Sequence, residues 1–84
     1  MSLRIYGSKE VARLLGKSEG TISMYRRAGL LDGRKLGKEF LHTEAEVTAF
    51  LNLTAGETIP GDWESIQAAA RRLKGRKEEL KCRN

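Results

Sequence analysis

Only three residues, Gly16-Lys17-Ser18, separate two helical patterns, and they read as a helix stop followed at once by a helix start. Before them, Ser8 is placed to cap a first helix with its hydroxyl, and Val11, Leu14 and Leu15 fall at i, i+3 and i+4 on one face. Gly16 is the residue type that closes a helix in the left-handed conformation, and Ser18 is an N-cap for the next. Two helices joined this tightly cannot lie end to end. They must cross at a steep angle and share one small core.

The second helix runs from Glu19 through Arg27, with Gly29 as its stop and Leu30 and Leu31 carrying the exit into the core. At about 100° per residue, Ile22, Tyr25 and Gly29 fall on one side, and Gly20, Ser23, Met24 and Arg27 on the other. The second stripe is small and polar at its start, which permits close approach to base edges. It turns basic at its end, with Arg26 and Arg27, where a phosphate strand would run. Gly20 in a helix costs roughly 1 kcal/mol against alanine, a cost that close approach to a ligand would explain. Lys17, Glu19 and Thr21 stand at the mouth of the same helix.

Beyond it, Asp32-Gly33 and Gly37 frame short alternating segments that predict a hairpin over residues 32–41, with Leu36 and Phe40 inward and Arg34, Lys35 and Lys38 available to a polyanion. Thr43-Glu44-Ala45-Glu46 fits a capping box, and Val47, Phe50 and Leu51 repeat a helical apolar face behind it. His42 precedes that cap and is read as a packing residue. The order helix, turn, helix, basic hairpin, helix describes a winged helix-turn-helix domain over residues 1–53, mainly α with a small β-hairpin wing. Residues 54–61, with the only proline and two glycines, read as a linker. Residues 62–84 read as a basic amphipathic helix and tail.

The segment from Ser18 to Leu31 resembles the recognition segment of MerR-type regulators, and Leu36 to Leu51 is similar to the wing and following helix of excisionase-like proteins of the same superfamily. The resemblance implies sequence-selective binding of double-stranded DNA, with the second helix in the major groove and the wing on flanking backbone. Thr21, Tyr25, Arg27 and Gly29 match the MerR-type pattern, which implies a DNA contact for Arg27 and packing for Tyr25. Ser23 and Met24 stand where that pattern usually has arginine and tyrosine, Arg26 replaces an acidic residue, and Glu39 stands where a second basic wing residue is common. The same resemblance implies a bacterial or phage-encoded protein, acting as a transcriptional regulator or as a directionality factor that assists a recombinase.

Composition agrees with such a partner. Sixteen Lys plus Arg against eleven Asp plus Glu give a net charge of +5, an excess that favours a polyanion. It is divided between the segments, nine basic and six acidic residues up to Leu53, seven and five after it. Cys82 and His42 are single, so an intramolecular disulfide is impossible, and no protein-only metal site, cofactor cradle or paired acid and base is visible. We expect no enzyme and no cofactor. The longest apolar run is three residues, against roughly 18 for a membrane span, and the N-terminus shows no secretory pattern, so a cytoplasmic protein is expected.

In the last segment Asp62 is a cap, and Trp63, Ile66, Ala70, Leu73, Lys77 and Leu80 recur at three- and four-residue spacings. That stripe either folds back on the first domain or pairs with a second protomer, which would give a homodimer or cooperative oligomer on DNA. Arg71, Arg72, Lys74 and Arg76 spread around the same helix as a solvated face or as weak phosphate contacts, and Glu78 is spaced to pair with Lys74. A rival reading makes the chain an adaptor that grips a protein, as in the small subunit of a phage packaging motor.

Overall fold

The computed structural model describes residues 4–81, with side chains through Glu79. Its elements are β1 (Ile5–Gly7), α1 (Ser8–Leu15), α2 (Glu19–Ala28), β2 (Arg34–Leu36), β3 (Glu39–Thr43), α3 (Glu44–Leu53) and α4 (Trp63–Lys81). The chain is mainly helical, with one three-stranded antiparallel sheet in the order β1-β3-β2.

The helix boundaries follow from local chemistry, with one correction. Gly7, not Ser8, caps α1: its backbone is extended and its amide donates to Glu10 Oε1 at 3.2 Å, while Ser8 is already the first helical residue. The reason is tertiary, because Gly7 is also the last residue of β1, paired with Leu41, so the strand hands directly over to the helix. Gly16 closes α1 at φ 68°, and Ser18 Oγ accepts the Thr21 amide at 3.2 Å to open α2. Gly29, at φ 88°, ends α2 and turns Leu30 and Leu31 into the core. Val11 and Ala12 are the buried residues of α1, while Leu14 is 58% exposed, contrary to its expected place on the inner face. The inward stripe is rotated by one residue because α1 packs against both α2 and the sheet.

β1 had no counterpart in the hydrophobic pattern of the sequence. It pairs Ile5 with Thr43, Tyr6 with His42 and Gly7 with Leu41, and so lays the start of α1 beside the hairpin. In the hairpin, Leu36 faces Glu39 across the two-residue turn Gly37-Lys38, and Phe40 faces Lys35. Leu36 and Phe40 therefore lie on opposite faces of the ribbon, since side chains alternate along a strand and directly opposed residues share a face. Phe40 is half-buried, and Leu36, expected inside, is 69% exposed. His42 is fully buried, and its Nδ1–H donates to the Asp32 carbonyl at 2.8 Å.

The Thr43 capping box forms as its spacing predicts: Thr43 Oγ1 accepts the Glu46 amide at 3.1 Å, and Glu46 Oε1 accepts the Thr43 amide at 2.9 Å. Behind it Val47, Phe50 and Leu53 are buried, and Leu51, expected inside, faces solvent. Asp62 caps α4 by accepting the Ser65 amide at 2.9 Å. α4 then folds back across α2 and α3, and Ile66 and Leu73 enter the same core cluster as Val11, Ile22, Leu31 and Phe50. Of the two uses open to the apolar stripe, folding back is the one observed. Ile66 and Leu73 are buried and Ala70 half-buried within the chain itself, so they do not form a free partner face. Ala69, absent from the expected stripe, is buried with them, and Trp63 remains 38% exposed. The Leu80 side chain, Cys82 and Arg83 lie outside the described residues.

Polar ties fix the return of α4. Glu57 accepts from Arg72 and lies 3.8 Å from Arg76, whose Nη1 also donates to the Leu53 carbonyl at 3.1 Å. Lys77 Nζ donates to the Gly29 carbonyl at 2.5 Å and to Asp32 Oδ1 at 2.9 Å. No helix among the described residues is long and apolar enough to cross a membrane.

Candidate nucleic-acid interface

The geometry of α2 follows from which side chains its core demands. Ile22 and Tyr25 are buried, and the Tyr25 ring meets Phe50 at a centroid distance of 5.0 Å, tilted by 37°. Burial pushes the Tyr25 hydroxyl above its ordinary pKa, so it stays neutral. With those two residues fixed inward, Glu19, Gly20 and Arg27 are exposed, and Thr21, Ser23, Met24 and Arg26 are half-buried at the margins. Met24 departs from the expected outer stripe, because it packs in part against the core cluster.

The margin of α2 that faces the hairpin forms a groove in which Glu19, Ser23 and Arg26 oppose Lys38 and Phe40. Arg26 is held in place there. Its guanidinium carbon sits 3.4 Å from the Phe40 ring centroid, and its Nη2 donates to Ser23 Oγ at 3.3 Å. Partial burial, and then the neighbouring Arg27 charge, lower the Arg26 pKa from its ordinary value. A guanidinium so placed remains a cation at neutral pH. Lys9 and Glu10, at the start of α1, line the same groove, and sequence reasoning passed over both. Their proximity depends on β1 pairing with β3, which no local pattern announces. The groove also contains Glu10, Glu19 and Glu39, so three carboxylates balance Lys9, Arg26 and Lys38.

The other expected contacts are dispersed. Arg34 turns to α3, where its Nη2 meets Glu46 Oε2 at 2.8 Å, so this cation already has a counter-charge within the chain. Burial pushes the Glu46 carboxyl up, but the Thr43 amide and the Arg34 guanidinium more than reverse that and hold it below the ordinary carboxylate range. Lys35 and Lys38 are exposed on the hairpin and belong to no ion pair among the described residues. Lys17 lies elsewhere, in a depression with Tyr25, Leu51 and Ile59.

Arg27 opens onto a third surface. It lines a groove between the end of α2 and α4 together with Arg71, Lys74 and Lys77, against Glu78 as the one acidic residue. The Lys74–Glu78 pair expected from spacing is not among the ion pairs of the described residues. This basic groove thus joins Arg27, anticipated as a DNA contact, to Arg71 and Lys74, expected as a solvated face or weak phosphate contacts, on a helix whose stripe was open between folding back and a partner. Matching the chain against protein-family models, curated proteins and solved structures finds no similar protein.

Proposed function

We propose that this protein binds double-stranded DNA as a small winged helix-turn-helix module, with α2 in the major groove and the β2–β3 hairpin as the wing on flanking backbone. The observation that carries the reading is the joint placement of α2 and the hairpin. A capped ten-residue helix leaves Glu19, Gly20 and Arg27 open to solvent, and the hairpin stands beside it with Lys35 and Lys38 exposed. Arg26 spans the two, since it is rooted on α2 and stacked on Phe40 of β3. An α-helix, about 10–12 Å across, fits a groove about 12 Å wide, and the small residues near the start of α2 bring backbone close to base edges. The net charge of +5 supplies long-range attraction to a polyanion.

The biological role that fits is transcriptional regulation or assistance to a recombinase in a bacterial or phage setting, carried out in the cytoplasm and without a cofactor. The test is selection of bound fragments from a random duplex pool near physiological salt with excess competitor. An enriched motif is the expected result, and a motif repeated at about one helical turn would mean that several protomers bind together. Arg27→Ala and Lys38→Ala should each weaken retention. Failure to retain any duplex would overturn the reading and bring a protein partner to the front.

A further inference from the structure

We propose that the groove between the C-terminal end of α2 and α4 holds a backbone phosphate of the duplex that α2 contacts, which makes α4 a second DNA-anchoring element. This inference rests on the duplex-binding reading above. Four cations from two helices, Arg27, Arg71, Lys74 and Lys77, converge on this groove, and with Lys77 paired to Asp32 three remain against the single lining carboxylate of Glu78. The hairpin groove, by contrast, is balanced between acid and base.

The cations of α4 divide sharply by role. Arg72 and Arg76 are engaged with Glu57, and Lys77 with Asp32 and the Gly29 carbonyl. Arg27, Arg71 and Lys74 belong to no ion pair among the described residues, although Glu78 lies at the same groove. The Lys77 contacts pin α4 to the loop after α2, so the spacing of the free cations is set before a ligand arrives, and less ordering entropy is lost on binding. Arg27 belongs both to the groove and to the exposed stripe of α2. A duplex seated on that stripe therefore continues over the groove with a sugar-phosphate strand. The polar backbone of a duplex, rather than an apolar partner, is what three cations around Gln67 and Ala70, in excess over Glu78, would accept.

The experiment compares a fluorescent duplex of the selected sequence bound by the wild-type protein and by Arg71→Gln, Lys74→Gln and Arg72→Gln, each across a salt series. Glutamine keeps a long stem and good helix propensity while removing the charge. Arg71 and Lys74 are exposed, so their variants should keep the wild-type urea midpoint. For a phosphate contact, Arg71→Gln and Lys74→Gln each reduce the slope of log affinity against log salt by about 1. Their deficit accordingly shrinks about threefold between about 50 and 200 mM salt. Arg72→Gln, which removes the same charge outside the groove, leaves the slope near the wild-type value. Equal effects of all three variants would reduce the groove to general net charge and overturn the proposal. A wild-type protein that binds duplex with full slope in both groove variants would overturn it alone, whereas a wild-type protein that binds no duplex would overturn the duplex reading with it. Loss of an acidic peptide by the groove variants, with duplex binding intact, would reassign the groove to a protein.

Discussion

The guanidinium carbon of Arg26 lies over the Phe40 ring, 3.4 Å from its centroid, and so joins the second helix to the hairpin through one cation and one aromatic face. This contact bridges the hairpin groove and sets where the Arg26 charge can be presented. Phe40→Leu keeps apolar volume and removes the π face. We expect a stability loss of about 0.5–1 kcal/mol in urea denaturation, and duplex affinity reduced by about two- to fivefold as Arg26 gains freedom. Unchanged affinity in a variant with the expected stability loss would show that Arg26 does not act from this position.

Gly33 and His42 form a second coupled pair. A Cβ built on Gly33 would meet the His42 ring at 2.5 Å and the Leu41 carbonyl at 3.1 Å. Because His42 is fully buried and tied to the Asp32 carbonyl, the ring has nowhere to yield. Gly33→Ala should cost about 1–3 kcal/mol by overpacking, and His42→Ala about 2–4 kcal/mol through a cavity and a lost hydrogen bond. The double variant should lose less than the sum, because removing the ring removes the clash. Strict additivity in equilibrium unfolding would refute the coupling.

The return of α4 is tested at Leu73, which is 3% exposed within the common core. Leu73→Ala should lower stability by about 2–5 kcal/mol, with a urea midpoint independent of protein concentration. A variant that instead unfolded at the wild-type midpoint but failed to self-associate in sedimentation would place Leu73 at an interface between chains.

Acid sensitivity should trace in part to the capping box of α3. The Glu46 carboxyl is held below its ordinary pKa in the folded chain, so its ionised form stabilises the fold. That contribution is complete above the ordinary carboxylate range and disappears as pH falls through the lower folded-state value. Asp62, lowered by the Ser65 amide at the exposed start of α4, follows the same sign. Glu46→Gln should therefore flatten the acid limb of a plot of urea midpoint against pH and leave the neutral-to-basic part parallel to wild type. Thr43→Ala removes the reciprocal half of the box and should cost about 1 kcal/mol. An acid limb equally steep in Glu46→Gln would assign the sensitivity to other carboxylates.

Local signals were legible wherever one residue type answers one backbone need. Gly16 and Gly29 stop helices, Ser18 and Thr43 start them, and Asp62 caps α4, because orphan amides and left-handed turns are satisfied within a few residues. The exposed ends of α2 were legible for the same reason, since Ile22 and Tyr25 fix its rotation. Ser8 and Leu14 were misread because β1, three residues long and without an alternating pattern, exists only through its pairing with β3.

The sequence by itself determined the helices, the caps of α2, α3 and α4, and the charge available to a polyanion. Where those charges point was decided only in three dimensions. The two-residue turn at Gly37-Lys38 sets the hairpin register, and with it which of Leu36 and Phe40 meets Arg26. The fold-back of α4 spends Lys77, Arg72 and Arg76 on internal ties and leaves Arg71 and Lys74 beside Arg27. Strand pairing and helix docking act between residues far apart in the chain, so spacing along the sequence carries no record of which partner each cation will find.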